Sequence, residues 1–161
     1  MSNTETLSAL GTQTRRDFAN IKEPQPQWLE TFKNQHEDSL YLVVFVQPDT
    51  TFRSLCPKTG QPDSARMEIV YSPNELMVES KSLKEYLQSF QNSGEFHEDV
   101  CNRIANDLFN LMKPKYLRVF GDFVVRGDLA IKPIVERWGE TNSETQDSKI
   151  ARLVDTWDIK K

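Results

Sequence analysis

The sequence predicts an α+β fold, an antiparallel four-stranded sheet with two helices on one face. Three observations carry the prediction. Short apolar, β-branched runs stand at both ends of the central region. Two amphipathic stretches lie back to back between them. Turn-forming residues separate the units, giving the order strand, strand, helix, helix, strand, strand.

Each element has its own local reason. "SLYLVVFVQP" (39–48) is an apolar run that Pro48 ends, as suits a buried strand. Residues 49–66 are rich in turn formers and read as a loop. "RMEIVYSP" (66–73) alternates Met67, Ile69 and Tyr71 with Glu68, Val70 and Ser72, and "NELMVE" follows as a short extended entry. In "SKSLKEYLQSFQNSG", Leu83, Tyr86, Leu87 and Phe90 form one helical stripe that Gly94 stops. In "EFHEDVCNRIANDLFNLMKP" the stripe is Cys101, Ile104, Ala105, Leu108 and Met112. Glu95, Glu98 and Asp99 sit in its first turn, and Pro114 ends it. "KYLRVFGDFVVR" and "GDLAIKPIVERW" supply two further strands. Ile150, Leu153, Val154 and Trp157 then repeat at helical spacing, which predicts a docking C-terminal helix.

The chain of 161 residues suits one domain. We divide it into a polar leader (1–37), a central domain (38–138) and a tail with a short helix (139–161). A net charge of −4 argues against a nucleic-acid groove, which needs clustered cations. The longest apolar run is far below the roughly 20 residues that span a bilayer. No signal-peptide pattern opens the chain, so a soluble, cytoplasmic protein with two reduced cysteines is expected.

"SLCPKTGQPD" (54–63) sets Cys56 in a loop with two prolines, a glycine and Asp63. Packing, metal binding and nucleophilic attack are all open for this thiol. A nearby Lys58 or a helix N-terminus would favour the thiolate, and a turn at Gly60 would fold Asp63 back towards it. His97 and Cys101, four residues apart, read either as zinc ligands with Cys56 or as the end of a core stripe. Glu98 reads as a charge complementing the helix dipole or as a bidentate acceptor for a guanine-like edge. Lys81 and Lys84 read as a solvated face, or as a phosphate grip that adds helix N-terminal amides. None of the six glycines forms a Walker or Rossmann pattern.

Taken in order, "SLCPKTGQPD", "ESKSLKEYLQSF" and "FHEDVCNRI" resemble the NADPH-dependent 7-cyano-7-deazaguanine reductases (QueF type) of queuosine biosynthesis, in their short, single-module form. "ESKSLKEY" matches the family signature, and the resemblance runs from about residue 39 to 136. It implies a tunnelling fold (T-fold) whose subunits close an oligomeric barrel, of pentamer or decamer type. It also implies NADPH as cofactor and a small deazaguanine as substrate, with no direct nucleic acid and no membrane.

By that resemblance, Cys56 adds to the nitrile as a thioimide-forming nucleophile and Asp63 is the general acid. Glu98, with His97 beside it, anchors the base, and Val78, Glu79 and Ser80 complete its pocket. Lys81, Lys84 and Arg126 face the cofactor phosphates, and no metal is required. One departure stands out. The family's Pro-Arg-Gly-Gly run is "VRGD" here, with Val125 for the proline and Asp128 for the second glycine, a carboxylate that would oppose an anionic cofactor. The rival expectations are a zinc-dependent GTP cyclohydrolase-like hydrolase of the same fold, and a non-catalytic binding module.

Overall fold

A computed structural model describes residues 16–140 and 144–159. Residues 1–15, the first part of the expected leader, lie outside the described residues. The strands are β1 (Thr31–Lys33), β2 (Val43–Val46), β3 (Phe52–Leu55), β4 (Pro62–Ser72), β5 (Leu76–Val78), β6 (Tyr116–Phe123) and β7 (Ile134–Trp138). The helices are α1 (Ser80–Gln88), α2 (His97–Met112) and α3 (Glu144–Ile159), with short 3₁₀ turns at Phe18–Asn20, Pro26–Trp28 and Ser89–Asn92.

The main sheet is antiparallel and runs β2-β4-β6-β7. It has five strands rather than four, because β2 and β3 share one edge of the 11-residue β4. β3 pairs with the start of β4 (Leu55 opposite Pro62) and β2 with its end (Val43 opposite Tyr71). The loop expected over 49–66 therefore contains β3 and the beginning of β4. Its strand character is hidden because two of the inward positions, Ser54 and Asp63, are polar, which leaves only Phe52 and Ala65 to mark the apolar period. A separate two-stranded ribbon joins β1 to β5.

The core lies between the sheet and the first two helices. Ala65, Met67, Ile69 and Tyr71 of β4 and Leu117 and Val119 of β6 meet Leu83 and Leu87 of α1 and Val100, Ile104 and Leu108 of α2. Each large aliphatic side chain buried there stabilises the fold by about 1.5–3 kcal/mol. Cys101 belongs to this core, fully buried as its stripe predicts. Gly121 makes room for it, since a Cβ there would fall 2.8 Å from the Cys101 Sγ.

The opposite face receives α3. Ile150 and Val154 bury against Tyr116 with Leu40 and Leu42, so the spacing that predicts a docking helix is matched by its packing. Arg118 reaches across from β6 to Asp158 (2.7 and 2.8 Å) and Glu68 (3.3 Å). Pairing of this kind lets a charge sit in a nearly dry place. Chain crossing at the far end of the sheet is equally tight. A Cβ on Gly139 would fall 2.2 Å from the Pro114 carbonyl oxygen. Gly139→Ala should therefore cost about 1–3 kcal/mol, as overpacking does. Thermal unfolding checks this, and an unchanged Tm would refute it.

Residues 16–34 form a strap across α1. Ser82 Oγ accepts the Glu30 N–H and Ser89 Oγ accepts the Gln25 N–H, both at 3.0 Å. Arg16 pairs with buried Glu85 at 2.6 Å and lies over the Trp28 ring at 4.3 Å. The Gln91 and Asn92 amides donate to the Phe18 carbonyl. Much of the polarity in "SKSLKEYLQSFQN" thus serves the strap, and the strap and the β1–β5 ribbon together fix where α1 begins.

Candidate active site

Between β3 and β4 the chain turns tightly. The Cys56 N–H donates to the Gln61 carbonyl (2.8 Å), and the Gly60 N–H to the Cys56 carbonyl (2.9 Å). Gly60 has φ +67°, a conformation that glycine takes without strain. The turn is tied sideways to the start of α2, because the Leu55 N–H donates to Ser93 and the Glu95 N–H to Leu55. Local turn chemistry and one lateral clamp thereby bring the thiol to the mouth of α2.

A cleft of about 290 Å³ opens there, with Cys56, Asp63, His97, Glu98 and Arg126 in its lining. The Thr59 hydroxyl, aided by the backbone N–H groups of Thr59 and Lys58, lowers the Cys56 pKa from the ordinary thiol value to about 7. Lys58 thus acts through its amide. Burial instead pushes Cys101 up to about 12, with the Glu98 charge adding to it. Iodoacetamide should therefore modify Cys56 alone in the folded protein. Its rate should climb as pH rises through about 7, because the thiolate is the reactive form. Peptide mapping and a pH–rate curve check this, and a midpoint at the ordinary thiol value would contradict it.

Asp63 is 4% exposed, at the start of β4. Its Oδ1 accepts from Arg126 Nη1 at 2.6 Å, and its Oδ2 lies 3.3 Å from His97 Nε2. Arg126 also donates to the Gln61 side-chain carbonyl. The His97 ring stacks on Phe123 at 3.9 Å with 11° between planes, and its Nδ1 is buried without a hydrogen-bond partner. Glu98 is exposed in the first turn of α2. Arg126 opens a two-residue turn in which Gly127 (φ +55°) and Asp128 (φ +65°) both adopt the left-handed region. A glycine suits the Asp128 position for that reason, and aspartate tolerates it better than most residues do.

The second group of expected residues stands elsewhere in the chain. Val78 is in the core, and Glu79 is a buried N-cap accepting the N–H groups of Lys81 (2.8 Å) and Ser82 (2.6 Å). Ser80 and Lys84 are exposed. Val78, Glu79, Ser80, Lys81 and Lys84 are absent from the cleft lining. The capping corrects one expectation, because amides already bonded to Glu79 are closed to a phosphate and leave the lysine ammonium groups alone for that task. Gln61 and Phe123 escaped the sequence reading. Gln61 shares the "TGQPD" turn with Asp63, but its link to Arg126 spans 65 residues.

The zinc rival fails on Cys101. Its Sγ packs against Gly121 inside the core, and no group of three metal-ligating side chains occurs among the described residues. What the fold and cleft define is an antiparallel α+β protein built around an activated thiol with a buried carboxylate beside it. Comparison with known proteins sharpens this. A family profile described as "QueF-like protein" matches residues 62–142.

A Bacillus pumilus protein named NADPH-dependent 7-cyano-7-deazaguanine reductase is 49% identical over 148 residues, 92% of this chain and 84% of its own. A Neisseria meningitidis serogroup C protein of the same name is 49% identical over 154 residues, 94% of each chain. One from Bacillus cytotoxicus is 55% identical over 127 residues, 79% of this chain and 74% of its own. The chain belongs to the QueF-like family. Among solved structures, the apo archaeosine synthase QueF-Like shares the fold, with a TM-score of 0.53 at 17% identity over 64% of this chain and 97% of that one.

Proposed function

We propose that this chain reduces the nitrile of 7-cyano-7-deazaguanine to the primary amine, 7-aminomethyl-7-deazaguanine, with NADPH, in the cytoplasm. The carrying observation is the pairing, in one cleft, of a thiol poised near neutrality with a buried carboxylate, in a chain about half identical to reductases of that name. A soft thiolate suits a nitrile carbon. Cys56 attacks it, a carbon–sulfur bond forms, one carbon–nitrogen π bond opens, and the nitrogen takes its proton from Asp63, leaving a thioimide. The Glu98 carboxylate receives two parallel N–H donors from the base, and His97 braces it.

NADPH, when bound, supplies the hydrides. The cleft suits it in two respects. Exposed Phe96, Val124 and Leu129 offer a flat apolar surface beside Cys56. Arg126 and the Lys81–Lys84 pair offer cations for its phosphates.

In this reading the central unit is a T-fold, and the strap and α3 buttress it. Val78, Glu79 and Ser80 reach a Cys56 cleft through assembly, one subunit presenting α1 to another as the sheets join edge to edge into a barrel. Exposed Ile134 and Trp138 on the edge strand β7 support such a junction. No described helix is long and apolar enough to cross a membrane, in keeping with a cytoplasmic enzyme. The test is direct. Purified protein given 7-cyano-7-deazaguanine and NADPH should consume two NADPH per amine formed, by chromatography and absorbance. Steady NADPH loss without the amine would reject the proposal.

A further inference from the structure

A buried hydroxyl left without a partner costs a fold stability, so such groups are few and each calls for a reason. Ser54 Oγ is one of them. Ser54 stands in β3 at 1% exposure, and its hydroxyl has no hydrogen-bond partner among the described residues. The inner face of the β3–β4 pairing carries four side chains, those of Phe52, Ser54, Asp63 and Ala65. Two are apolar. The other two, Ser54 and Asp63, stand directly opposite each other in the register.

Residues paired in this way have Cβ atoms about 4.5–5.5 Å apart. Rotation about side-chain bonds alone brings a hydroxyl and a carboxyl across that gap to hydrogen-bond length. Asp63 can accept the bond. Its Oδ1 takes one from Arg126 Nη1 and its Oδ2 faces His97 Nε2, which leaves each oxygen a second lone pair. The Arg126 guanidinium is shared, since it also serves Gln61 and the Cys56 thiol. Ser54 has a firmer base. Its strand is paired with β4 on one side, and on the other Leu55 bonds to Ser93 and Glu95.

We infer that Ser54 is a positioning residue for the nitrile reduction, its hydroxyl fixing the Asp63 carboxyl from within the sheet so that one oxygen faces the substrate. The inference rests on the reading of Asp63 as the acid. A hydroxyl suits the task because it both donates and accepts. It therefore serves Asp63 with its proton in place and after that proton has gone to the nitrile nitrogen. A methyl group at this position leaves the carboxyl freer to turn about its own terminal bond.

The experiment follows amine formation in steady state for wild type, Ser54→Ala, Ser54→Thr, Asp63→Asn and the variant combining Ser54→Ala with Asp63→Asn. Ser54→Ala should lose roughly tenfold in kcat, the worth of one hydrogen bond to a charged group. Its KM for 7-cyano-7-deazaguanine and for NADPH should hold, because neither ligand touches the hydroxyl. Iodoacetamide should modify its Cys56 at the wild-type rate, since the donors to that thiol are Thr59, Lys58 and Arg126. Ser54→Thr keeps the hydroxyl and should keep most of kcat. In the Asp63→Asn background Ser54→Ala should cost little more, because a residue that acts through Asp63 has no acid left to position.

Full kcat in Ser54→Ala, from an active wild type, overturns the inference alone. So does a loss that multiplies with that of Asp63→Asn, or one that comes with slowed alkylation of Cys56. If the added methyl of Ser54→Thr lowers Tm, the double-variant cycle decides. Wild-type turnover in Asp63→Asn removes the acid and the inference together. Wild-type protein that forms no amine overturns the reductase reading itself.

Discussion

Cys56→Ala protein mixed with 7-cyano-7-deazaguanine should gain no mass, and its turnover should fall at least about 10³-fold, as when the nucleophile of a catalytic unit is deleted. The loss should be chemical and not structural. Cys56 is half-buried in a turn whose hydrogen bonds run through its backbone to Gln61 and Gly60, and these survive removal of Sγ. The second thiol offers no substitute, because Cys101 is fully buried behind Gly121 and burial holds it protonated. Equal Tm values with absent adduct would meet the expectation. An adduct that persists in Cys56→Ala would move the nucleophile elsewhere.

Asp63→Asn should separate binding from chemistry. The amide has nearly the shape of the carboxyl, and the substitution leaves Glu98, the proposed anchor of the base, untouched, so 7-cyano-7-deazaguanine should bind about as well by calorimetry. The amide has no acid proton to give, and turnover should fall about 10²–10⁴-fold, the usual worth of a placed general acid. Some Tm loss should accompany this, since the Arg126 guanidinium loses its charged partner. NADPH oxidation at the wild-type rate would remove Asp63 from the acid role.

Periodicity made much of the frame legible. β2, α1, α2, β6 and α3 each carry an apolar stripe or run, and these stripes are the surfaces that bury. β3 and the start of β4 were not legible, because the buried positions Ser54 and Asp63 are polar, Asp63 lining the cleft, and the strand character comes from the pairing of the two segments. The same division runs through the site. Cys56 and Asp63 lie in one stretch of ten residues, so the sequence alone could suggest them together. Arg126 pairs with Asp63 across 63 residues, and Glu85 meets Arg16 across 69. Separations of that size leave no local trace. The polar side chains of α1 were the least readable, since Ser82, Glu85 and Ser89 look like an ordinary wet face until the strap is laid over them.

That strap has a consequence for how the chain is made. During synthesis residues 16–34 emerge before α1, and their landing surface there does not exist until more than forty further residues have followed. β4 is in the same position, because its long partner β6 ends at Phe123. Such distant partners raise the contact order and slow folding. A half-made chain therefore holds Cys56 and Asp63 but lacks both Arg126 and the β6 strand that fixes β4 in the sheet.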